Sequence, residues 1–220
     1  MKIISFEGIE GVGKSTQISL LKEYLESKKY LVEIYREPGS TTTGEKIRDI
    51  LLNNSSLLSD KAELLLMFAA RAEMVNEHMI NSKEDIILCD RYFHASIAYQ
   101  GYGRKLSLEL IENLIQNINC PIPDLTIIYD LDVRLGFKRK ANDDIDRIES
   151  AGENFFEDVR KGYQQIAKDR EEVVILDASL SIDVLNQQTK ELIKPLICLL
   201  YTSDAADDSL RVDLGGRRII

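Results

Sequence analysis

The chain has 220 residues, 44% hydrophobic and 30% charged, the balance of a folded globular protein rather than a disordered or fibrous one, and a length that suits one domain. Its 28 lysines and arginines against 37 aspartates and glutamates leave a net charge of −9, which argues against nucleic acid as a partner, because general affinity for polyanions comes from distributed positive charge. Three widely spaced cysteines, Cys89, Cys120 and Cys198, form no CxxC or Cys/His cluster, and no leader or run of ~18 apolar residues stands out, so a reducing cytoplasmic setting is expected, without disulfide framework, zinc site or membrane span.

Short β-branched runs predict strands over 2–6, 31–35, 86–90, 125–130 and 173–176. They are continuously apolar rather than alternating, as strands covered on both faces are, so the sheet is expected to be parallel. Between them, helical periodicity predicts helices over 15–27, 43–53, 59–82, 107–118, 154–169 and 182–196, with Ser59, Ser107 and Asn154 as capping residues. Pro38 follows the second strand, Pro121 and Pro123 precede the fourth, and Pro195 is expected near the end of the last helix. The fold class is therefore α/β: a doubly wound sheet of five parallel strands flanked by helices, with ligands at the carboxyl ends of the strands. One domain is expected over 1–197. From Cys198 on, the chain shows no clear period and resembles translated adapter or vector sequence; this 198–220 tail is expected to carry no function.

After the first strand stands Gly8-Ile9-Glu10-Gly11-Val12-Gly13-Lys14-Ser15, a G-x-x-x-x-G-K-S loop followed by Thr16. Its glycines let backbone N–H groups converge on phosphate oxygens at a helix N-terminus, Lys14 reaches the β- and γ-phosphates, and the Ser15 hydroxyl serves Mg²⁺. The loop makes the expected doubly wound sheet a P-loop NTPase-type one and says nucleotide, and the rest of the chain must choose the reaction. A guanine-reading N/TKxD tetrapeptide occurs nowhere, which argues against a regulatory GTPase. At the third strand, Cys89-Asp90-Arg91-Tyr92 places a carboxylate where it serves the metal shell and an arginine where it neutralises a second phosphate.

With GIEGVGKST, REPGS, CDRY and SIAYQG in this order and spacing, the chain resembles the thymidylate kinase family from Met1 to about Leu196. The resemblance implies transfer of the γ-phosphoryl group of ATP to dTMP, with Mg²⁺, by a homodimer. It implies that Glu10 lies near the sugar and phosphate of the acceptor, that Lys14 bridges the two phosphoryl groups, and that Arg36, Glu37, Arg48 and Arg91 serve the acceptor site. Arg71, Ser96 and Gln100 match the positions that read the base, and Tyr99 the one that walls the sugar's 2′ position. The family usually carries Phe four residues before the base-reading arginine to stack on thymine, whereas this chain has Met67 there and Phe68 one place later, and both are expected at the substrate's base. In REPGS, Ser40 replaces a usual second Gly.

Family members with Arg after the acidic loop residue carry the catalytic arginine in the loop; those with Gly, as at Gly11, take it from a short mobile lid. The lid maps to about 138–149, with Arg139 and Arg147 as the catalytic candidates. His78 and His94 read as helix or rim residues, and Cys89 as core. Two alternatives stay open: a related kinase for another nucleoside monophosphate, and a nucleotide-binding protein without turnover.

Overall fold

The structure is a computed structural model and describes residues 1–80, 82–140 and 145–209, with side chains described as far as residue 197. Five strands, β1 (Lys2–Glu7), β2 (Val32–Arg36), β3 (Ile86–Asp90), β4 (Leu125–Asp130) and β5 (Val173–Asp177), form one sheet in the order β2-β3-β1-β4-β5. All pairings are parallel. The central strands are apolar along their length because both faces are covered: Ile4, Phe6, Ile86, Ile87, Leu88 and Ile127 are fully buried.

The first strand sits between β3 and β4, so the chain reverses its direction of winding there. The loop after β1 consequently opens into the crevice where such sheets take ligands. Register brings Phe6 of β1 and Arg36 of β2 level with Asp90 at the end of β3, so Arg36, Asp90 and the loop that follows β1 meet at one rim.

The helices are α1 (Lys14–Ser27), α2 (Thr42–Leu52), α3 (Asp60–Met74), α4 (Phe93–Ser96), α5 (Leu108–Asn117), α6 (Val133–Arg139), α7 (Glu153–Asp169) and α8 (Ile182–Ser209). Ser59 and Ser107 cap α3 and α5, their hydroxyls accepting from the N–H of Ala62 and Leu110. Asn154 does not cap α7; the helix already begins at Glu153, with Gly152 before it.

The helix expected over 59–82 is regular only to Met74 and continues as a π-helical turn, Val75–Met79; Asn81 lies outside the described residues. The stretch after Asp90-Arg91 also forms α4 and a π-helical segment, Ile97–Gly103, which the sequence pattern did not separate. π-Helical turns cluster at functional sites, and both occur on elements that reach the crevice. Pro195 lies inside α8 rather than at its end, and the backbone of α8 runs on through Ser209, past the point where periodicity was lost.

Candidate active site

A cavity of about 660 Å³ opens along the carboxyl edge of β1, β2 and β3. Its wall carries seven cationic side chains, Lys14, Arg36, Arg48, Arg71, Arg91, Arg139 and Lys140, against the carboxylates of Glu10, Glu37, Asp90, Asp146 and Glu149. A chain of charge −9 thus concentrates positive charge in one cleft, the arrangement that draws and neutralises polyphosphate.

On one side of the cavity the loop 8–13 turns into α1. Gly11 sits at φ +74°, and a side chain there would run into the carbonyl of Gly136 in α6; a side chain at Gly136 would meet the carbonyl of Glu10. The loop and α6 therefore touch backbone to backbone, which requires glycine on both sides. Lys14 Nζ donates to the carbonyls of Gly8 and Ile9 at 3.1 and 3.0 Å. Burial and the nearby Arg91 charge push the Lys14 pKa down to about 8. Gly11, Val12, Gly13, Lys14, Ser15 and Thr16 all face the cavity. Gly8 and Ile9 lie behind it, Gly8 offering its carbonyl and Ile9 only 3% exposed.

Arg91 is held by its surroundings in a backbone conformation that non-glycine residues seldom adopt, φ +69°. Its N–H bonds to the carbonyl of Phe6 at 3.0 Å, Nη1 donates to Gly8 O at 2.9 Å, and Nη2 to Glu10 Oε1 at 2.8 Å. The other Glu10 oxygen accepts from the Tyr99 hydroxyl at 2.8 Å. Burial alone would raise the Glu10 pKa, but the charges of Arg91 and Lys14 together with the Tyr99 hydrogen bond hold it below the usual carboxylate range. Glu10 is thus an anchored anion between two cations.

Sequence reasoning passed over Glu7, which supports this arrangement from beneath. It is fully buried, and its carboxylate accepts from the Tyr92 N–H (2.8 Å), the Tyr163 hydroxyl (2.8 Å) and the Ser5 hydroxyl (3.1 Å). A glutamate closing an apolar strand just before a phosphate loop was the available signal.

The far side of the cavity is built from buried side chains instead of backbone. Arg71 is 2% exposed; its Nε donates to both oxygens of Glu37, at 3.0 and 2.7 Å, and its Nη2 to Tyr92 O and Ser96 Oγ. Burial would lower the Arg71 pKa, but Glu37 keeps it above its ordinary value. Arg71 Nη1, by contrast, is buried without a hydrogen-bond partner among the described residues. An orphaned cationic donor of this kind costs free energy unless a ligand satisfies it.

Met67, Ser96, Tyr99 and Gln100 complete that wall. Phe68 does not belong to it: it is 3% exposed, with the Arg71 guanidinium 4.6 Å above its ring. Arg48 donates from Nη1 to Pro38 O at 2.9 Å, and Arg36 from Nη2 to Glu45 at 3.2 Å; both face the cavity.

The two arginines expected to act from a lid are placed differently, and residues 141–144 between them lie outside the described residues. Arg139 lines the cavity and donates from Nη1 to Ala178 O at 3.1 Å and Gly11 O at 3.4 Å. Arg147 does not line it; Nε donates to Leu51 O at 2.7 Å and Nη2 to Glu63 at 2.7 Å. Of the two residues expected at the metal, the Ser15 hydroxyl and the Asp90 carboxylate both face the cavity. Two hard oxygen donors suit Mg²⁺, which takes its remaining ligands from phosphates and water.

A model of the thymidylate kinase family matches residues 6–189. The chain is 41% identical to thymidylate kinase of Kosmotoga olearia over 202 residues, spanning 89% of this chain and 96% of that protein. It is 42% identical to thymidylate kinase of Thermosipho melanesiensis over 197 residues, spanning 88% and 98%. In three dimensions it resembles the crystal structure of thymidylate kinase from Ehrlichia chaffeensis, with TM-score 0.71 and 31% identity over 88% of this chain and 98% of that one.

Proposed function

The chain belongs to the thymidylate kinase family, and from that premise we propose that it transfers the γ-phosphoryl group of ATP to the 5′-phosphate of dTMP, giving dTDP and ADP. The observation that carries this reading is a cavity in which a phosphate-binding loop faces a buried arginine whose Nη1 has no partner among the described residues. ATP phosphates rest on the loop 8–16, with Lys14 between donor and acceptor phosphoryl groups. The acceptor phosphate is gripped by Arg48 and Arg91, with Arg36 and Glu37 beside them.

The thymine edge is read by Arg71, Ser96 and Gln100, with Met67 against its face. Arg71 supplies the donor for a base carbonyl. Tyr99, whose hydroxyl is tied to Glu10, packs where a ribose 2′-hydroxyl would be, so a ribonucleotide would bury that group unpaired.

Ser15 and Asp90 would hold Mg²⁺, which when bound draws charge off the β- and γ-phosphate oxygens. The protein's part is positioning and charge neutralisation. The acceptor is already a phosphate monoester, so no strong general base is needed, and His94, fully buried with its pKa lowered chiefly by burial, takes no part. Arg139 supplies the cation that follows the charge of the moving phosphoryl group; its seat against the phosphate loop supports that role over Arg147.

The free thiols of Cys89 and Cys120 suit a reducing cytoplasm, and among the described residues no helix is long and apolar enough to cross a membrane. Homodimerisation is part of the same reading, and a monomer mass in light scattering would remove it. The central test is ADP formation with ATP, Mg²⁺ and each of dTMP, dUMP, UMP, CMP and AMP. Selective turnover of dTMP is expected; preference for another acceptor would reassign the substrate, and ATP binding without turnover would leave a nucleotide-binding protein.

A further inference from the structure

Gln100 lines the cavity and is 1% exposed, yet half of its amide is already engaged. Its Nε2 donates to Glu63 Oε1 at 2.9 Å, and among the described residues this is the only hydrogen bond the amide makes to protein. Glu63 does not line the cavity. It is 1% exposed in α3, and it also accepts from Arg104 Nε and Nη2 (3.3 and 3.2 Å) and from Arg147 Nη2 (2.7 Å).

Every partner of this carboxylate is a donor, and an ionised carboxylate only accepts. Burial alone would raise the Glu63 pKa, but the Gln100 amide and the two arginines outweigh it and hold the group below the usual range. Gln100 can therefore turn only its NH₂ toward Glu63. A reversed amide would set its oxygen against a buried anion and forfeit the one bond it has. The oxygen of Gln100 is left for the cavity, where Arg71 Nη1 supplies a donor.

A donor and an acceptor side by side match the Watson–Crick edge of a thymine- or uracil-type base, whose O4 accepts and whose N3–H donates. Cytosine presents the inverse, an N4 amine and a bare N3. We propose that Glu63 is a specificity-determining positioning residue: by fixing the Gln100 amide with its oxygen toward the acceptor, it selects 4-oxo pyrimidine nucleotides against 4-amino ones. The proposal rests on dTMP being the acceptor, and it assigns a role to a side chain that touches no substrate. Arg104 and Arg147 act one step further back, keeping Glu63 charged.

The test measures kcat/KM for dTMP, dUMP and dCMP with the wild type, Glu63→Gln, Gln100→Ala and the double variant. An uncharged amide at position 63 accepts or donates, which frees Gln100 to turn. The dTMP-to-dCMP preference should fall roughly tenfold in Glu63→Gln, the size of one hydrogen-bond mismatch, while the dTMP-to-dUMP ratio stays at its wild-type value because both bases share the same edge. In the double variant the preference should fall no further than in Gln100→Ala alone.

A dTMP-to-dCMP ratio that does not change, or a loss shared equally by all three nucleotides, would overturn the proposal, the second outcome marking Glu63 as merely structural. If the wild type phosphorylates none of the three, the kinase reading itself fails and takes the proposal with it. If Glu63→Gln does not fold, a structure of the wild type with dTMP decides: Gln100 oxygen on base N3 at about 2.9 Å is expected, and Gln100 nitrogen on base O4 overturns it.

Discussion

The two ends of the cavity are built by opposite means. At the end proposed for ATP, the donor end, a contiguous run from Gly8 to Thr16 folds back on itself, and it offers backbone amides, one lysine, one glutamate and small side chains; Gly136 also meets it through backbone. At the end proposed for dTMP, the acceptor end, the side chains come from distant parts of the chain and are locked by buried or partly buried ion pairs: Glu37 with Arg71, and Glu63 with Arg104 and Arg147. A loop of amides suits any triphosphate because phosphate oxygens are alike. A particular base demands a fixed pattern of donors and acceptors, and buried side-chain networks hold one at the risk of a large loss if any partner is removed.

The described parts of the segment expected to form the lid touch both ends. Arg139 leaves α6 on the donor side, while Arg147 is tied to the end of α2 and to α3 on the acceptor side.

The largest effect is expected at the donor end. Lys14→Ala removes the one cationic side chain of the loop and should lower kcat by roughly a thousandfold or more, read as ADP formation in a coupled assay. Full activity in that variant would dissolve the distinction between the two ends.

Next come the lid arginines. Arg139→Ala should lower kcat by roughly 10³-fold, the lower end for a finger-like arginine, with the KM for dTMP little changed. Arg147→Ala should act mainly through Glu63, weakening dTMP binding and stability more than kcat. The reverse ranking would show that Arg147 leaves Glu63 during turnover.

A pH titration sharpens the comparison with no mutation. With its pKa pushed down to about 8 chiefly by burial, Lys14 must take up a proton to meet ATP at higher pH. The apparent affinity for ATP should therefore weaken above about pH 8, by up to roughly tenfold per unit, while the affinity for dTMP, whose phosphate Arg48 and Arg91 also grip, falls less over the same window. The sign for stability is opposite. Between about 8 and the ordinary lysine value of 10.5, the unfolded chain binds the proton and the ligand-free fold does not, so this group's contribution to stability rises with pH. Parallel losses of ATP and dTMP affinity would place the titrating group elsewhere.

The same contrast explains what was legible in the sequence. The sheet and the phosphate loop could be read directly, because continuous apolar runs and a contiguous motif are local signals. The acceptor wall was reached only through resemblance. The partners that hold it, Glu7, Glu63 and Arg104, are single charged residues on elements far apart in the chain, and periodicity cannot distinguish a buried charged position from an exposed one. Phe68 was misplaced for a related reason: the helix turns it beneath Arg71, into the core, and leaves Met67 to face the cavity. The π-helical segments Val75–Met79 and Ile97–Gly103 were missed because their period is neither of the two that sequence patterns report.

Ser40 tests how tightly the acceptor end is locked. It stands at φ +68°, where a serine costs roughly 1 kcal/mol relative to glycine. Its hydroxyl accepts from the Arg36 N–H at 2.7 Å and donates to Arg36 O at 3.0 Å, while its carbonyl meets His78 Nε2 at 2.8 Å. Ser40→Gly should relieve the strain and lose the hydroxyl's bonds, terms of similar size. The melting temperature should barely move, and the KM for dTMP should rise by roughly two- to threefold as the loop carrying Arg36 loosens. A lower KM would mean that the clasp restrains the loop from its productive position.

The smallest effect belongs to Met67→Phe, which restores the ring expected from the family at the base. An aromatic pair contributes about 0.5–1.5 kcal/mol beyond area, and a thioether against a ring about 0.3–1.5 kcal/mol, so the exchange is worth less than about 1 kcal/mol, or less than roughly a fivefold fall in the KM for dTMP. The direction is informative despite the size. Phe68 already fills the space under Arg71, so a ring at position 67 has only the cavity to occupy. A lower KM for both dTMP and dUMP would show that the face of the base is held separately from its edge, whereas a raised KM would show that the pocket is shaped around methionine.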